Sequence, residues 1–312
     1  MAEATVQAPQ PPQEGGPQAN EKGAGAEKTE SLWKDVWYSL RRNVPAMVSL
    51  GVIVLLALVA IVTFVAPQVL PYDPYQQDLS VSFQGPSPEH WFGTDQQGRD
   101  ILCRILVGSQ ISLTVGLLSV AISLSIGVTL GAIAGYKGGV VDTVIMRVMD
   151  MMLAIPSILL AIAFMAALGQ GIDKAIVAIG LVSIPEYARI VRSQVLAVKQ
   201  SDYVAAARVI GDSDATIIFR HVLPNVMPSI IVRATLGISS AILDAAALGF
   251  LGLGVQPPAA EWGDMLGRGR NYIFSAPHAM IFPGLAITVT VLAFNLLGDG
   301  IRDAFDPKSR NR

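Results

Sequence analysis

Four long stretches of the chain contain no charged side chain, and charges cluster between them. These stretches cover residues 43–72, 105–136, 151–172 and 271–298, which is 30, 32, 22 and 28 positions. A helix needs about 20 apolar residues to cross the hydrocarbon core of a bilayer. Each stretch is therefore long enough to form a transmembrane helix, and the third of them contains Pro156.

Two further spans are predicted from weaker patterns. Residues 175–185 give only 11 uncharged positions, so a helix there has to extend past Glu186 towards Arg192. Another apolar stretch, at 226–251, is interrupted by two charged residues. The predicted fold class is an all-α membrane protein with six transmembrane helices.

Composition divides the chain into three parts. Residues 2–30 are rich in Ala, Pro, Gln, Gly and Glu, which predicts a disordered N-terminal tail over 1–31. A Pro-rich hydrophilic stretch follows the first span, so 32–104 is predicted to hold the first transmembrane helix and an external loop. The other five spans fall within 105–312, together with a long polar segment at 201–225.

The distribution of basic residues predicts the orientation. The N-terminal flank, the 136–147 loop, the 186–225 segment and the region after Asp299 hold 14 Lys and Arg, against 5 on the other side. Cytoplasmic loops are the ones enriched in Lys and Arg. Both termini are therefore predicted to be cytoplasmic, with the 71–100 loop outside.

Composition also limits the partners and the chemistry. Only 15% of the residues are charged, and the net charge of −2 predicts no nucleic-acid partner. The single Cys103 excludes an internal disulfide and a multi-cysteine metal site. Aromatic and basic residues around Trp37 suit the membrane interface, where contact with membrane lipid is expected.

Small residues recur every four positions in the second span. They are Ser119, Ser123, Gly127, Gly131 and Gly135. This spacing places them on one helix face, where a second helix can approach closely. The face could line a gate or pore, or serve ordinary helix packing, and we favour packing.

The 201–225 segment has the pattern of two short helices. Ser201 or Asp202 can cap the first helix, and Gly211 suits the left-handed residue that closes it. Pro224 is predicted to stop the second helix before the next span. The following residues share one face of the first helix: Tyr203, Ala206, Ala207 and Ile210. Such a helix can lie in a groove of a partner, or pack under its own bundle.

The same segment resembles the cytoplasmic loop of binding-protein-dependent ABC import permeases. That family's pattern is Glu-Ala-Ala, three residues, Gly, and later Leu-Pro-Asn. The matching positions here are Ala206, Ala207, Gly211, Leu223, Pro224 and Asn225. Ala205 stands where the family often has Glu, so a role of that carboxylate is absent.

Three other motifs are similar to those of the C-type permeases of dipeptide, oligopeptide and nickel importers. The first is Phe-Gly-Thr-Asp-Gln-Gln-Gly-Arg-Asp at 92–100. The second combines Leu-Gly-Leu-Gly-Val-Gln-Pro-Pro at 251–258 with Glu-Trp-Gly-Asp at 261–264. The third is Asn-Leu-Leu-Gly-Asp-Gly-Ile-Arg-Asp at 295–303, followed by Asp306 and Pro307.

This resemblance implies a type I ABC importer permease fold in the bacterial cytoplasmic (inner) membrane. It implies a heterodimer with a sister permease, two ABC ATPase subunits docked on the coupling segment 201–225, and an external solute-binding protein. The chain itself is then not an enzyme and binds no cofactor. No Gly-x-x-x-x-Gly-Lys-Ser/Thr phosphate loop is present, so ATP and Mg would be bound by the partner ATPases.

A polar stripe runs along the fifth predicted span. Its members are spaced 4, 4, 3 and 4 residues apart: Ser229, Arg233, Gly237, Ser240 and Asp244. Charged groups in a membrane helix avoid lipid. The stripe is predicted to line a translocation pathway, and the alternative is that each charge pairs with a neighbouring helix. Asp150 is expected to form an interfacial salt bridge.

Two other functions were weighed against the permease. A secondary transporter or channel would need inverted repeats or several coupling-ion carboxylates within the spans. A membrane-bound enzyme would need clustered catalytic groups, and His90, His221 and His278 are scattered. For the solute, peptides are favoured over nickel or an oligosaccharide.

Overall fold

The fold is helical throughout the part of the chain that the structure, a computed structural model, describes, residues 27–306. Within this range the extended backbone amounts to an isolated bridge between Thr94 and Asp100. The all-α prediction is confirmed. Most of the tail predicted over 1–31 lies outside the described residues. Its end is helical, because α1 begins at Glu27 in a run of good helix formers.

Helices α1 to α5 form the N-terminal half: α1 Glu27–Arg42, α2 Val44–Val65, α3 Ile101–Lys137, α4 Gly139–Leu153 and α5 Ser157–Leu168. Helices α6 to α11 form the second half: α6 Ile172–Val198, α7 Asp202–Ile210, α8 Asp214–Thr216, α9 Leu223–Phe250, α10 Trp262–Gly269 and α11 His278–Phe305. A π-helical turn, Ile217–Val222, connects α8 to α9 without a break.

Four helices of the described chain are long and apolar enough to cross a membrane. They are α2, α3, the continuous helix Asp214–Phe250, and α11. The bent pair α4–α5 would make a fifth span. Helix α6 continues past Glu186 to Val198, but its charges leave it short of the apolar composition of a span. The predicted count of six is therefore not established.

The third predicted span is not one straight helix. Helix α4 ends at Leu153, α5 begins at Ser157, and their axes are bent by 94°. Pro156 explains the break, because proline disfavours the helical conformation of the residue before it. The 12-residue α5 rises only about 18 Å, which is less than the hydrocarbon thickness.

Pro224 does not end a helix, contrary to the sequence prediction. It lies in the first turn of α9, directly after the π-helical turn. The Asn225 side chain donates from Nδ2 to the carbonyl oxygen of His221 at 2.7 Å. The altered hydrogen-bond register of the π-helical turn accommodates a residue that has no N–H of its own.

The small-residue face of α3 packs against α6, as predicted. A Cβ atom added at Gly131 would lie 2.4 Å from the Ala188 carbonyl oxygen, and one at Gly127 would lie 2.7 Å from Tyr187 Cβ. The Ser123 hydroxyl donates to the Gly180 carbonyl oxygen at 2.8 Å. Close approach of two membrane helices through small residues maximises dispersion contacts between them.

A buried arginine ties the predicted external loops together. Arg104, 1% exposed, donates to the Pro74 carbonyl oxygen at 3.0 Å and to that of Ala259 at 3.4 Å. At the start of α10 the Glu261 carboxylate accepts from Gly263 N–H and Asp264 N–H, at 2.8 and 2.7 Å. Burial raises the pKa of Glu261 to about 7. The Glu-Trp-Gly-Asp motif at 261–264 thus has a structural role, because its Glu261 caps α10.

Candidate functional site

An open cleft of about 850 Å³ lies where the α4–α5 break faces α6 and α9. The break contributes Pro156 and Ser157 to its wall, and α6 contributes Ser183, Glu186 and Tyr187. Non-helical backbone is tolerated at membrane depth where it lines a cavity or is buried in protein. The bend at Pro156 lies in the wall of this cleft, where a break in a membrane helix is tolerated.

Four of the five residues of the predicted polar stripe line the cleft. They are Arg233, Gly237, Ser240 and Asp244, whereas Ser229 is half-buried and lies outside the lining. The structure thus brings the stripe to one surface together with the helix break. The role of the break and of α6 was missed from the sequence, where Pro156 was the only signal.

Most of the charges at the cleft are paired. Arg233 forms an ion pair with Glu186 and lies over the Tyr187 ring, its Cζ 5.4 Å from the ring centroid. Arg189 pairs with Asp150 at 2.7 Å, which confirms the salt bridge expected for Asp150. Arg233 therefore pairs with a neighbouring helix, which was the alternative interpretation, and it also lies in the lining of the cleft.

Gly237 is required by the approach of an aromatic side chain. A Cβ atom at this position would clash with the Tyr187 hydroxyl oxygen, 1.9 Å away. The same hydroxyl donates to the Arg233 carbonyl oxygen at 3.5 Å. The lack of a side chain at Gly237 therefore allows Tyr187 to lie close to α9 at the wall of the cleft.

Helix α7 has the termini that its sequence predicts. Ser201 occupies the N-cap position with extended backbone, although its hydroxyl donates to the Val198 carbonyl oxygen. Gly211 closes the helix with φ +94°, a conformation that side chains rarely adopt. Ser213 caps α8, accepting from Thr216 N–H at 3.2 Å.

One face of α7 packs against the bundle. Val204 is fully buried and Ala207 is 5% exposed, both within a cluster that contains Val191 and Ile217. Ala207 therefore does not share an exposed face with Tyr203, Ala206 and Ile210, with which the sequence grouped it. Helical periodicity groups residues into faces, but only the position of the neighbouring helices decides which face is covered.

The opposite face of α7 is exposed and apolar. Tyr203, Ala205 and Ala206 are exposed there, and Val209 and Ile210 are 89% and 81% exposed. We call these five residues the α7 surface. Phe219, on the π-helical turn, is exposed as well. Val209 and Phe219 were not identified from the sequence, although their apolar side chains in a polar segment were a usable signal.

Polar contacts anchor the α7 region to the bundle. Arg208 donates from Nε to the Tyr136 hydroxyl at 3.3 Å, and Lys199 donates to the Tyr136 carbonyl oxygen. His221 pairs with Asp212 at 3.0 Å. Leu223 is half-buried, whereas Pro224 and Asn225 are exposed. The three Leu-Pro-Asn residues therefore lie at the junction of the π-helical turn with α9.

No group of three or more His, Cys, Asp or Glu side chains able to hold a metal occurs between residues 27 and 306. Two features remain as candidate functional sites, the cleft and the α7 surface. A cleft lined by ionisable side chains within a bundle of membrane helices is the kind of site where a membrane transport protein binds its solute.

The chain belongs to the family of binding-protein-dependent transport system inner membrane components, which its residues 127–311 match. Residues 31–86 match the N-terminal transmembrane domain of oligopeptide transport permease C. The chain is thus a permease subunit of an ABC importer and not an enzyme, which confirms the resemblance seen in its motifs.

Relatives along nearly the whole chain carry permease names. The dipeptide transport system permease protein DppC of Alkalihalophilus pseudofirmus is 48% identical over 281 residues, covering 90% of this chain and 91% of that protein. The glutathione transport system permease protein GsiD of Pectobacterium atrosepticum is 47% identical over 281 residues, covering 89% and 92%.

Solved structures share the fold. Two crystal forms of the inward-facing MetNI methionine ABC transporter contain a chain that superimposes with TM-scores of 0.54 and 0.55. The sequence identities are 20% and 19%, and the matches cover 65% and 66% of this chain and 97% and 98% of the other. At this identity the likeness concerns the fold alone.

Proposed function

We propose that this chain is one permease half of an importer for peptides and peptide-like solutes, powered by ATP. It forms the translocation pathway with a sister permease, receives solute from an external binding protein, and is driven by two ATPase subunits that bind ATP and Mg. The family membership supports the assembly, and the relatives named for dipeptide and glutathione support the solute class.

The observation that carries this proposal is the continuous helix Asp214–Phe250. One end lies beside α7, and Asp244 in the cleft lies near the other end. Its 37 residues give a length of about 55 Å, so one rigid element joins the two features. Movement of the α7 surface by a partner would then tilt the helix that forms one wall of the cleft.

The α7 surface fits a groove on an ATPase subunit. Ala205 and Ala206 leave the helix backbone accessible, while Tyr203 and Ile210 supply apolar anchors. An exposed helix face of this kind is suited to docking in a groove. Ala207 acts from the other face, by fixing α7 to the bundle, and Leu223, Pro224 and Asn225 act at the junction with α9.

Replacing Asp244 tests the pathway. We expect Asp244→Leu to insert and assemble but to import peptide roughly tenfold more slowly or worse, because it replaces a carboxylate in the wall of the cleft with an apolar side chain. Asp244→Asn should retain more activity, since its amide stays hydrated and polar. Uptake into proteoliposomes containing the complete importer is the measurement. Normal uptake by assembled Asp244→Leu would remove Asp244 from the pathway.

Labelling tests the proposed orientation, with both termini on the cytoplasmic side of a bacterial inner membrane. In a Cys103→Ser background, Gln77→Cys should react only with impermeant reagent added outside, because Gln77 is exposed in the external loop. Asp202→Cys, exposed at the start of α7, is the matched control and should react only from the cytoplasmic side. The reverse pattern would invert the topology.

A further inference from the structure

Asp244 is the ionisable residue of the cleft lining that has no partner among residues 27–306. Among the other ionisable side chains of the lining, Arg233 forms an ion pair with Glu186, and Arg189 forms one with Asp150. No hydrogen bond or ion pair involves the Asp244 carboxylate within the described chain. The cleft therefore carries one uncompensated negative charge.

An uncompensated carboxylate in a membrane-spanning helix is costly, and such groups mark solute or ion pathways. The neighbouring lining residues Gly237, Ser240 and Leu243 bring no positive charge. The cleft volume of about 850 Å³ falls within the range of roughly 300–1,000 Å³ that small-molecule sites occupy. The site is large enough for a small solute, and its charge selects a cationic group.

We propose that Asp244 binds the primary ammonium group of the solute in transit, an inference that rests on the proposed function. A divalent metal ion would require several oxygen ligands, and no acidic or histidine cluster of the described chain supplies them. A single carboxylate suits one ammonium group, whose three donors can be shared with the Ser240 hydroxyl and water.

The two charged groups of the stripe differ in availability, which makes recognition asymmetric. The charge of Arg233 is already compensated by Glu186, so only its unpartnered Nε–H remains to attract a solute carboxylate, whereas the whole charge of Asp244 is available. The amino terminus of a peptide is therefore held at Asp244, while its carboxyl end is free to vary in length and chemistry. Peptides with a blocked amino terminus lose the contact.

Direct binding to the assembled permease–ATPase complex in nanodiscs, without the solute-binding protein, tests this assignment. The probes are alanyl-alanine and propionyl-alanine, which differ by the ammonium group alone. Wild type should bind alanyl-alanine at least roughly tenfold more tightly. Asp244→Asn should lose this preference, while Asp173→Asn, which removes an exposed carboxylate at the start of α6 outside the cleft, should keep it.

Peptide uptake by the same complex reconstituted into proteoliposomes, with its binding protein added, distinguishes failure of ammonium recognition from failure of the importer function. Equal binding of both probes to wild type, or an unchanged preference in Asp244→Asn, would overturn ammonium recognition while uptake leaves the importer function standing. Absence of peptide uptake by wild type would overturn the proposed function and this inference together.

Discussion

A Gly211→Val substitution should leave the helix bundle folded but uncouple ATP hydrolysis from transport. Gly211 closes α7 with φ +94°, where an L-residue costs about 1–2 kcal/mol and a β-branched one is resisted further. The turn that joins α7 to the helix Asp214–Phe250 would then change shape. We expect solute-stimulated ATP hydrolysis and uptake to fall roughly tenfold or more, measured in proteoliposomes with the complete complex.

Gly211→Asn is the matched control for this prediction. A Cβ atom at position 211 meets nothing within 4 Å, so both substitutions fit sterically and differ in backbone preference. Asparagine tolerates the left-handed conformation and should retain most of the coupling. Full coupling in Gly211→Val, with ATPase subunits bound in normal ratio, would show that this turn does not transmit the motion.

Gly131→Leu should destabilise the folded chain more than the Asp244 substitutions in the cleft do. Its Cβ atom would lie 2.4 Å from the Ala188 carbonyl oxygen, which is backbone and cannot rotate away. Helices α3 and α6 would have to separate, and overpacking of this kind costs roughly 1–3 kcal/mol or more. We expect a clear fall in the unfolding temperature and in the yield of assembled complex.

The single cysteine provides the measurement. Cys103 is fully buried, so a thiol-reactive dye added to a complex with cysteine-free partners reports unfolding of this chain. Gly51→Leu is the control, because Gly51 lies in the membrane helix α2 with nothing within 4 Å of its added Cβ atom. Equal unfolding temperatures for the two variants would contradict close α3–α6 packing.

Much of the local structure follows from the sequence by itself. Uncharged runs that are long enough for a helix to cross the bilayer predict α2, α3 and α11, because charge is excluded from the hydrocarbon region. Four-residue spacing predicts the packing face of α3 through Gly127 and Gly131, and Gly211 predicts the end of α7. These features depend on residues that lie within a few helical turns of one another, so they can be predicted from the sequence.

The motifs also identified the family, because several of them occur in one order along the chain. Their local roles were less visible. Glu261 of one motif caps α10, and Arg104, which follows another motif along the chain, donates to the carbonyl oxygens of Pro74 and Ala259. These contacts depend on the path of the chain, so the motifs could be identified from the sequence without their structural roles.

Only the tertiary structure decided the make-up of the site. Periodicity placed Ala207 on a face with Tyr203, but the packing of α7 against the π-helical turn and the buried cluster around Val191 turned Ala207 inward. The sequence alone does not show whether a proline interrupts a helix. Pro156 separates α4 from α5, whereas Pro224 lies within a continuous helix. Arg233 is paired with Glu186 of another helix, and Arg189 is paired with Asp150. Only these pairings, which join residues of different helices, show that the charge of Asp244 is left without a partner in the described chain.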